Sequence, residues 1–264
     1  MTSTYLSYIS VERTFDRRLE ALQQQGPVQR ESEYFRENIG KISTAEEFVA
    51  DQRLYRYALT AFDLESQIFA RALVEKVLEE GIQDPQALAN QLVDRKWNTF
   101  ARAFAFAEVG NFNTTNTEFV EGVIDRYERV KLEEQLGEEN IAVRLAVYGD
   151  RKLPGVSNWF SVLGDTALRE VVFTALDLPP EVAGQNPDRL KELLEERFDI
   201  EKFKDPEELE KFLQRFSLMY DIRNGAPGTV SNTLTLFGID PTLDGGGGNG
   251  VVSIDPSTLG ATFF

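Results

Sequence analysis

The chain of 264 residues contains no cysteine and no histidine. Without them there is no thiolate nucleophile, no Ser-His-Asp triad, no Cys/His structural zinc site and no histidine-ligated haem. Disulfides and thiol redox chemistry are excluded with them. Long apolar runs are missing too, since none approaches the roughly 18 residues of a membrane-spanning helix. The first stretch, MTSTYLSYISVERTF, carries neither a basic leader nor a long apolar segment, so no Sec-type signal peptide is expected. Basic residues are scarce: 28 Lys and Arg stand against 44 Asp and Glu, a net charge of −16 at pH 7. Such a field repels nucleic acid and anionic lipid surfaces. The adjacent basic pairs Arg17-Arg18, Arg95-Lys96 and Arg151-Lys152 each follow an acidic residue, and none forms a cluster dense enough to overturn that expectation.

What is present reads as helix. Hydrophobic residues make up 42% and charged residues 27%, the balance of an ordinary globular chain. Val11, Phe15, Leu19 and Leu22 form one stripe of an amphipathic helix, with Ser10 placed to cap it and Gly26-Pro27 placed to stop it. Ser43 with Glu46, and Thr44 with Glu47, are overlapping capping-box patterns. Asp84-Pro85, Asn186-Pro187 and Asp205-Pro206 each put an N-cap residue before a proline suited to the first helical turn. No stretch alternates apolar with polar residues convincingly. The expected fold class is all-α, a multi-helix bundle of about nine to twelve mostly short helices.

The chain also repeats itself. Residues 51–64, DQRLYRYALTAFDL, and 165–178, DTALREVVFTALDL, share six of 14 positions at an offset of 114. The offset extends upstream to Ser43/Ser157 and Tyr34/Tyr148, and DPQALANQL at 84–92 resembles DPEELEKFL at 205–213 after a seven-residue insertion. This predicts an internal duplication, with pseudo-repeats at about 34–106 and 148–222 inside a helical domain 1–224. Residues 225–264 form a different unit, in which Gly245 to Gly248 and Asn249-Gly250 have the chemistry of a flexible linker. Beyond it, Val251, Val252, Ile254, Leu259, Phe263 and Phe264 are candidates to dock on a partner, a second copy or the chain's own helices.

Sites of chemistry are few. The glycine run lacks the lysine of a phosphate-binding loop, and an EF-hand beginning at Asp240 fails at Val251, where its closing Glu belongs. The acids Asp199, Glu201, Asp205, Glu207 and Glu208 suit a solvated helix N-terminus. Catalysis would have to run on carboxylates, with Asp63, Asp177 and Glu65 as candidates in the manner of a glycan hydrolase. A simpler expectation is that Asp63, Asp84, Asp177 and Asp205 are structural caps. FARAFAF at 100–106 predicts one tightly packed helix, with Trp97 and Trp159 anchoring the edge of the core. No cofactor, metal or catalytic residue is expected.

The stretch from TYLSYISVERTF to LTAFDLE, with EQLGEENIAVRLAVYGDRKL and DTALREVVFTALDLP further on, resembles an alphaproteobacterial family catalogued as a domain of unknown function, number 1217. The resemblance covers roughly residues 4–222 and leaves out the glycine-rich tail. It implies a motility context, since members tend to be encoded among flagellar genes, and it implies no chemistry. The expected function is thus a non-enzymatic protein–protein interaction protein of flagellar assembly or motor structure. An acidic chaperone for flagellar export substrates is the first alternative and a carboxylate-based cell-wall glycan hydrolase the second. The partners expected are proteins, flagellar components or a second copy of the chain, with no nucleic acid and no membrane insertion. The expected location is the cytoplasm, or outside the cell by way of the flagellar export apparatus.

Overall fold

A computed structural model describes residues 3–224, and the docking candidates Val251, Val252, Ile254, Leu259, Phe263 and Phe264 lie outside them. Among the described residues there are fourteen α-helical segments, five 3₁₀ turns and no strand. The helices are α1 (Thr4–Gln23), α2 (Gly26–Asn38), α3 (Ala45–Ala50), α4 (Gln52–Ala61), α5 (Arg71–Glu80), α6 (Leu88–Gln91) and α7 (Lys96–Phe104). They continue as α8 (Phe106–Val109), α9 (Thr117–Glu139), α10 (Ile141–Lys152), α11 (Trp159–Gly164), α12 (Thr166–Ala175), α13 (Pro187–Arg197) and α14 (Pro206–Arg223). The fold is all-α, as expected, with more and shorter pieces. No helix among the described residues is long and apolar enough to cross a membrane.

At the 114-residue offset the local geometry recurs. Asp51 caps α4 by accepting the N–H groups of Arg53 and Leu54, and Asp165 caps α12 by accepting those of Ala167 and Leu168. Tyr34 donates its hydroxyl to Asp51 at 2.8 Å, and Tyr148 to Asp165 at 2.5 Å. The 3₁₀ turn Ile39–Lys41 and the six-residue α3 are matched by the 3₁₀ turn Leu153–Gly155 and α11. Downstream the match ends. Asp205 opens the 18-residue α14 and accepts the Glu207 N–H, whereas Asp84 accepts the Gln86 N–H in a turn that no helix continues. The Asn90 amide holds that turn closed by donating to the carbonyls of Ile82 and Asp84.

Packing follows the repeat. α4 lies on α9 as α12 lies on α14, while α1 packs on α14 and α10 on α9, α12 and α14. One continuous apolar core runs from Tyr8 to Phe216. Trp97 and Trp159 are only 4% and 2% exposed, so they lie inside that core and not at its edge. FARAFAF is not one helix. Ala105 adopts a left-handed conformation, φ 51°, which ends α7 at Phe104 and starts α8 at Phe106. The kink turns both phenylalanines onto Phe48, with ring centroids 5.0 and 6.0 Å away.

The first helix also differs from expectation. α1 begins at Thr4 and runs through Ser10, and Gly26-Pro27 opens α2, the chain having turned at Gln24 and Gln25. Its start is held from the far end of the chain. Asp221 on α14 accepts the Ser3 hydroxyl at 2.8 Å and the Thr4 N–H at 3.1 Å, supplying acceptors that an unsatisfied helix start needs. At α3 the capping box forms with Thr44, whose hydroxyl oxygen accepts the Glu47 N–H while the Glu47 carboxylate accepts the Ser43 N–H.

Candidate functional site

Asp63 and Asp177 are not N-caps, because the segments after them start with no side-chain cap. Each ends the helix before it. Asp63 has φ 58° and Asp177 φ 54°. The Leu64 N–H reaches back to the Leu59 carbonyl and the Asp63 N–H to that of Thr60; Leu178 and Asp177 do the same to Phe173 and Thr174. This is the Schellman ending, whose left-handed position takes Gly first and tolerates Asp or Asn. The leucine after each Asp is buried on the helix it has just left, completing the motif.

The left-handed turn aims the Asp63 carboxylate into a buried ionic cluster between the repeats. Arg151, near the end of α10, donates to Asp63 through two nitrogens at 2.9 and 3.1 Å. It donates to Glu133 of α9 through two more bonds at 2.6 and 2.9 Å. Lys152 reaches Asp63 at 2.5 Å. Beside this group Lys96, at the start of α7, pairs with the cap Asp165 at 3.2 Å. The side chains of Asp63, Glu133 and Arg151 are 10%, 3% and 14% exposed, so their charges are largely out of water.

Burial sets the proton affinities here. It favours a neutral Asp63, yet the Arg151 guanidinium and Lys152 ammonium outweigh it and hold that carboxyl below the usual carboxylate range. Burial pushes Glu133 up, against the pull of Arg151. Burial draws the Lys152 ammonium down, and the neighbouring Arg151 adds to this while Asp63 opposes it. The Tyr148 hydroxyl is raised by burial and by the Asp165 charge. An Asp63 held as an anion by two cations is a poor proton donor. Of the hydrolase candidates, Asp63 and Glu65 line one cleft, while Asp177 is 44% exposed and bonds Arg223 at 2.8 Å. Glu65 is raised by burial and by the carboxylate of Glu134 beside it. No group of three or more acidic side chains among the described residues is arranged to hold a metal ion.

Two clefts flank the Lys96–Asp165 pair, which lines both. The larger, about 560 Å³, is walled by the acids Asp63, Glu65, Glu133 and Glu134. The smaller, about 300 Å³, is walled by Arg95, Lys96, Arg126, Arg151 and Lys152. Arg95-Lys96 and Arg151-Lys152 are far apart in sequence, and only the fold joins them in one cleft. The available signal was that each follows an aspartate, Asp94 or Asp150, at the edge of a helix.

The elements thus define an internally repetitive, all-α helical protein with a charged joint between its repeats. The chain matches the family described as Protein of unknown function (DUF1217) over residues 61–209, more than half its length, and it belongs to that family. A crystal structure of an Agrobacterium tumefaciens protein is similar, with a TM-score of 0.78 and 37% sequence identity over 85% of this chain and 97% of that one. No curated protein matches the chain.

Proposed function

We propose that the protein is a non-enzymatic interaction scaffold serving flagellar assembly or motor structure. The observation that carries the reading is the placement of unburied apolar side chains. Phe69, Val93, Val109 and Phe112 are 93%, 84%, 47% and 65% exposed, and all four lie in the segment joining α4 to α9. Leu6, Ile141 and Phe160 are exposed elsewhere, so among the described residues this connector carries four of the seven large exposed apolar side chains, the kind that a protein partner buries. The corresponding connector after α12 is shorter and has no large exposed apolar residue. The family resemblance supplies the motility context and the fold supplies a rigid frame for the connector.

The test is deletion of the gene, scored for swimming and for filament formation, with complementation by the wild type and by a Phe69→Ser, Phe112→Ser double variant. The expected result is defective motility restored by the wild type and not by the double variant, which still folds by circular dichroism. Normal swimming and normal filaments in the deletion strain would overturn the flagellar context. Full rescue by the double variant would overturn the role of the connector.

A further inference from the structure

We propose that the smaller cleft is a binding site for a phosphorylated small molecule, held by Arg95 and Arg126 at its mouth. The cleft is lined by five cationic and two acidic side chains in a chain of net charge −16, so it opposes the field of the rest of the protein. A local excess of cations attracts an anion at short range, where the net negative field of the rest of the chain is screened by salt.

The two acids are already engaged. Asp165 accepts the N–H groups of Ala167 and Leu168, the Tyr148 hydroxyl and the Lys96 ammonium. Asp94 accepts the Lys96 N–H at 2.9 Å. Arg151 and Lys152 are matched by Asp63 and Glu133 beneath the cleft. That leaves two guanidinium groups. Neither Arg95 nor Arg126 forms an ion pair with a described residue, and Arg126 lies over the Phe62 ring at 5.2 Å from its centroid.

A guanidinium propped on an aromatic ring presents its fork in a fixed orientation, and that fork matches phosphate oxygens two at a time. The cleft, at about 300 Å³, sits at the small end of ligand pockets, which favours a compact anion over a polymer. The surrounding negative surface disfavours a nucleic acid for the same electrostatic reason.

The probe is inorganic pyrophosphate, titrated calorimetrically into the full chain at constant ionic strength. Wild-type protein is expected to bind one equivalent saturably. Arg126→Gln is expected to weaken binding tenfold or more, Arg95→Gln to weaken it several-fold, and Arg36→Gln, at a surface pair with Glu121 elsewhere, to leave it unchanged. Both cleft arginines are exposed, so these variants keep the fold, which circular dichroism checks. Absence of saturable heat would overturn the proposal. So would equal weakening by Arg36→Gln, which would mark a diffuse charge effect, or binding of an acidic peptide with pyrophosphate silent.

Discussion

Asp63 and Asp177 occupy matched positions with nearly the same left-handed backbone, φ 58° and 54°, and differ mainly in burial. That makes them a paired test of the buried ionic joint. Asn tolerates the left-handed turn as Asp does, so Asp63→Asn and Asp177→Asn each remove a charge and leave the helix ending intact. At Asp63 the loss strands Lys152, whose carboxylate partner it is, and removes half the bonding of Arg151. Breaking one partner out of a buried pair costs about 3–5 kcal/mol. Arg151 keeps Glu133, so the lower end of that range applies, about 3 kcal/mol. At Asp177 the carboxylate is 44% exposed, and loss of such a pair costs about 0–1 kcal/mol. In a domain of this size about 1 kcal/mol shifts the midpoint by about 2–4 °C. Thermal unfolding at pH 7, followed by circular dichroism, should therefore drop by about 6–12 °C for Asp63→Asn and by less than about 4 °C for Asp177→Asn. Equal shifts in the two variants would refute the claim that the joint, and not the turn, gives Asp63 its weight.

Two other outcomes follow from the structure. Ala105→Gly should stabilise by about 0.5–1 kcal/mol, because glycine takes the φ 51° conformation without the left-handed penalty, and an unchanged urea midpoint would count against this. Gly81→Ala should cost at least about 1–3 kcal/mol by the same measurement, since φ is 63° and a Cβ would fall on the Glu108 carboxylate and 2.9 Å from the Ala107 Cβ.

Legibility from sequence tracked the range of each interaction. Thr44, Asn186 and Asp205 read as caps because a cap bonds a backbone N–H two or three residues on, and all three accept such bonds. Asp63 and Asp177 misled because a helix-ending Asp and a helix-starting Asp look alike until the sign of φ is known. The available cue was the leucine after each, which a Schellman ending buries and an N-cap does not require. Asp84-Pro85 matched Asp205-Pro206 in letters, but only the second is followed by a long apolar stripe, Leu209, Phe212, Leu213 and Phe216, that the core can bury. The joint itself was hidden, since Arg151 stands 88 residues from Asp63 and only 18 from Glu133. Ion pairs across repeats leave no periodicity in either partner's neighbourhood.

The difference between the two copies locates where the protein is specialised. Both carry the Tyr–Asp bond, Tyr34 to Asp51 and Tyr148 to Asp165. In the first copy Arg53, from the same helix start, lies over the Tyr34 ring at 3.7 Å, and its ion pair with Glu31 is about half exposed. In the second, the cation beside the matched bond is Lys96, brought in from the connector after α4 and about one quarter exposed. The same connector carries Phe69, Val93, Val109 and Phe112 outward. It is thus tied at Lys96 to the cap of the opposite repeat while presenting apolar side chains to the outside. A ligand or partner that displaces Lys96 from Asp165 would loosen the one ion pair shared by both clefts. The same connector is also packed into the core through Val77, Trp97, Phe100 and Phe104, so Lys96→Met removes its ion pair with Asp165 and leaves that apolar packing in place. Partner binding that survives Lys96→Met unchanged would show that the connector is held by its apolar contacts alone; weakened binding with an intact fold would show that the joint sets its position.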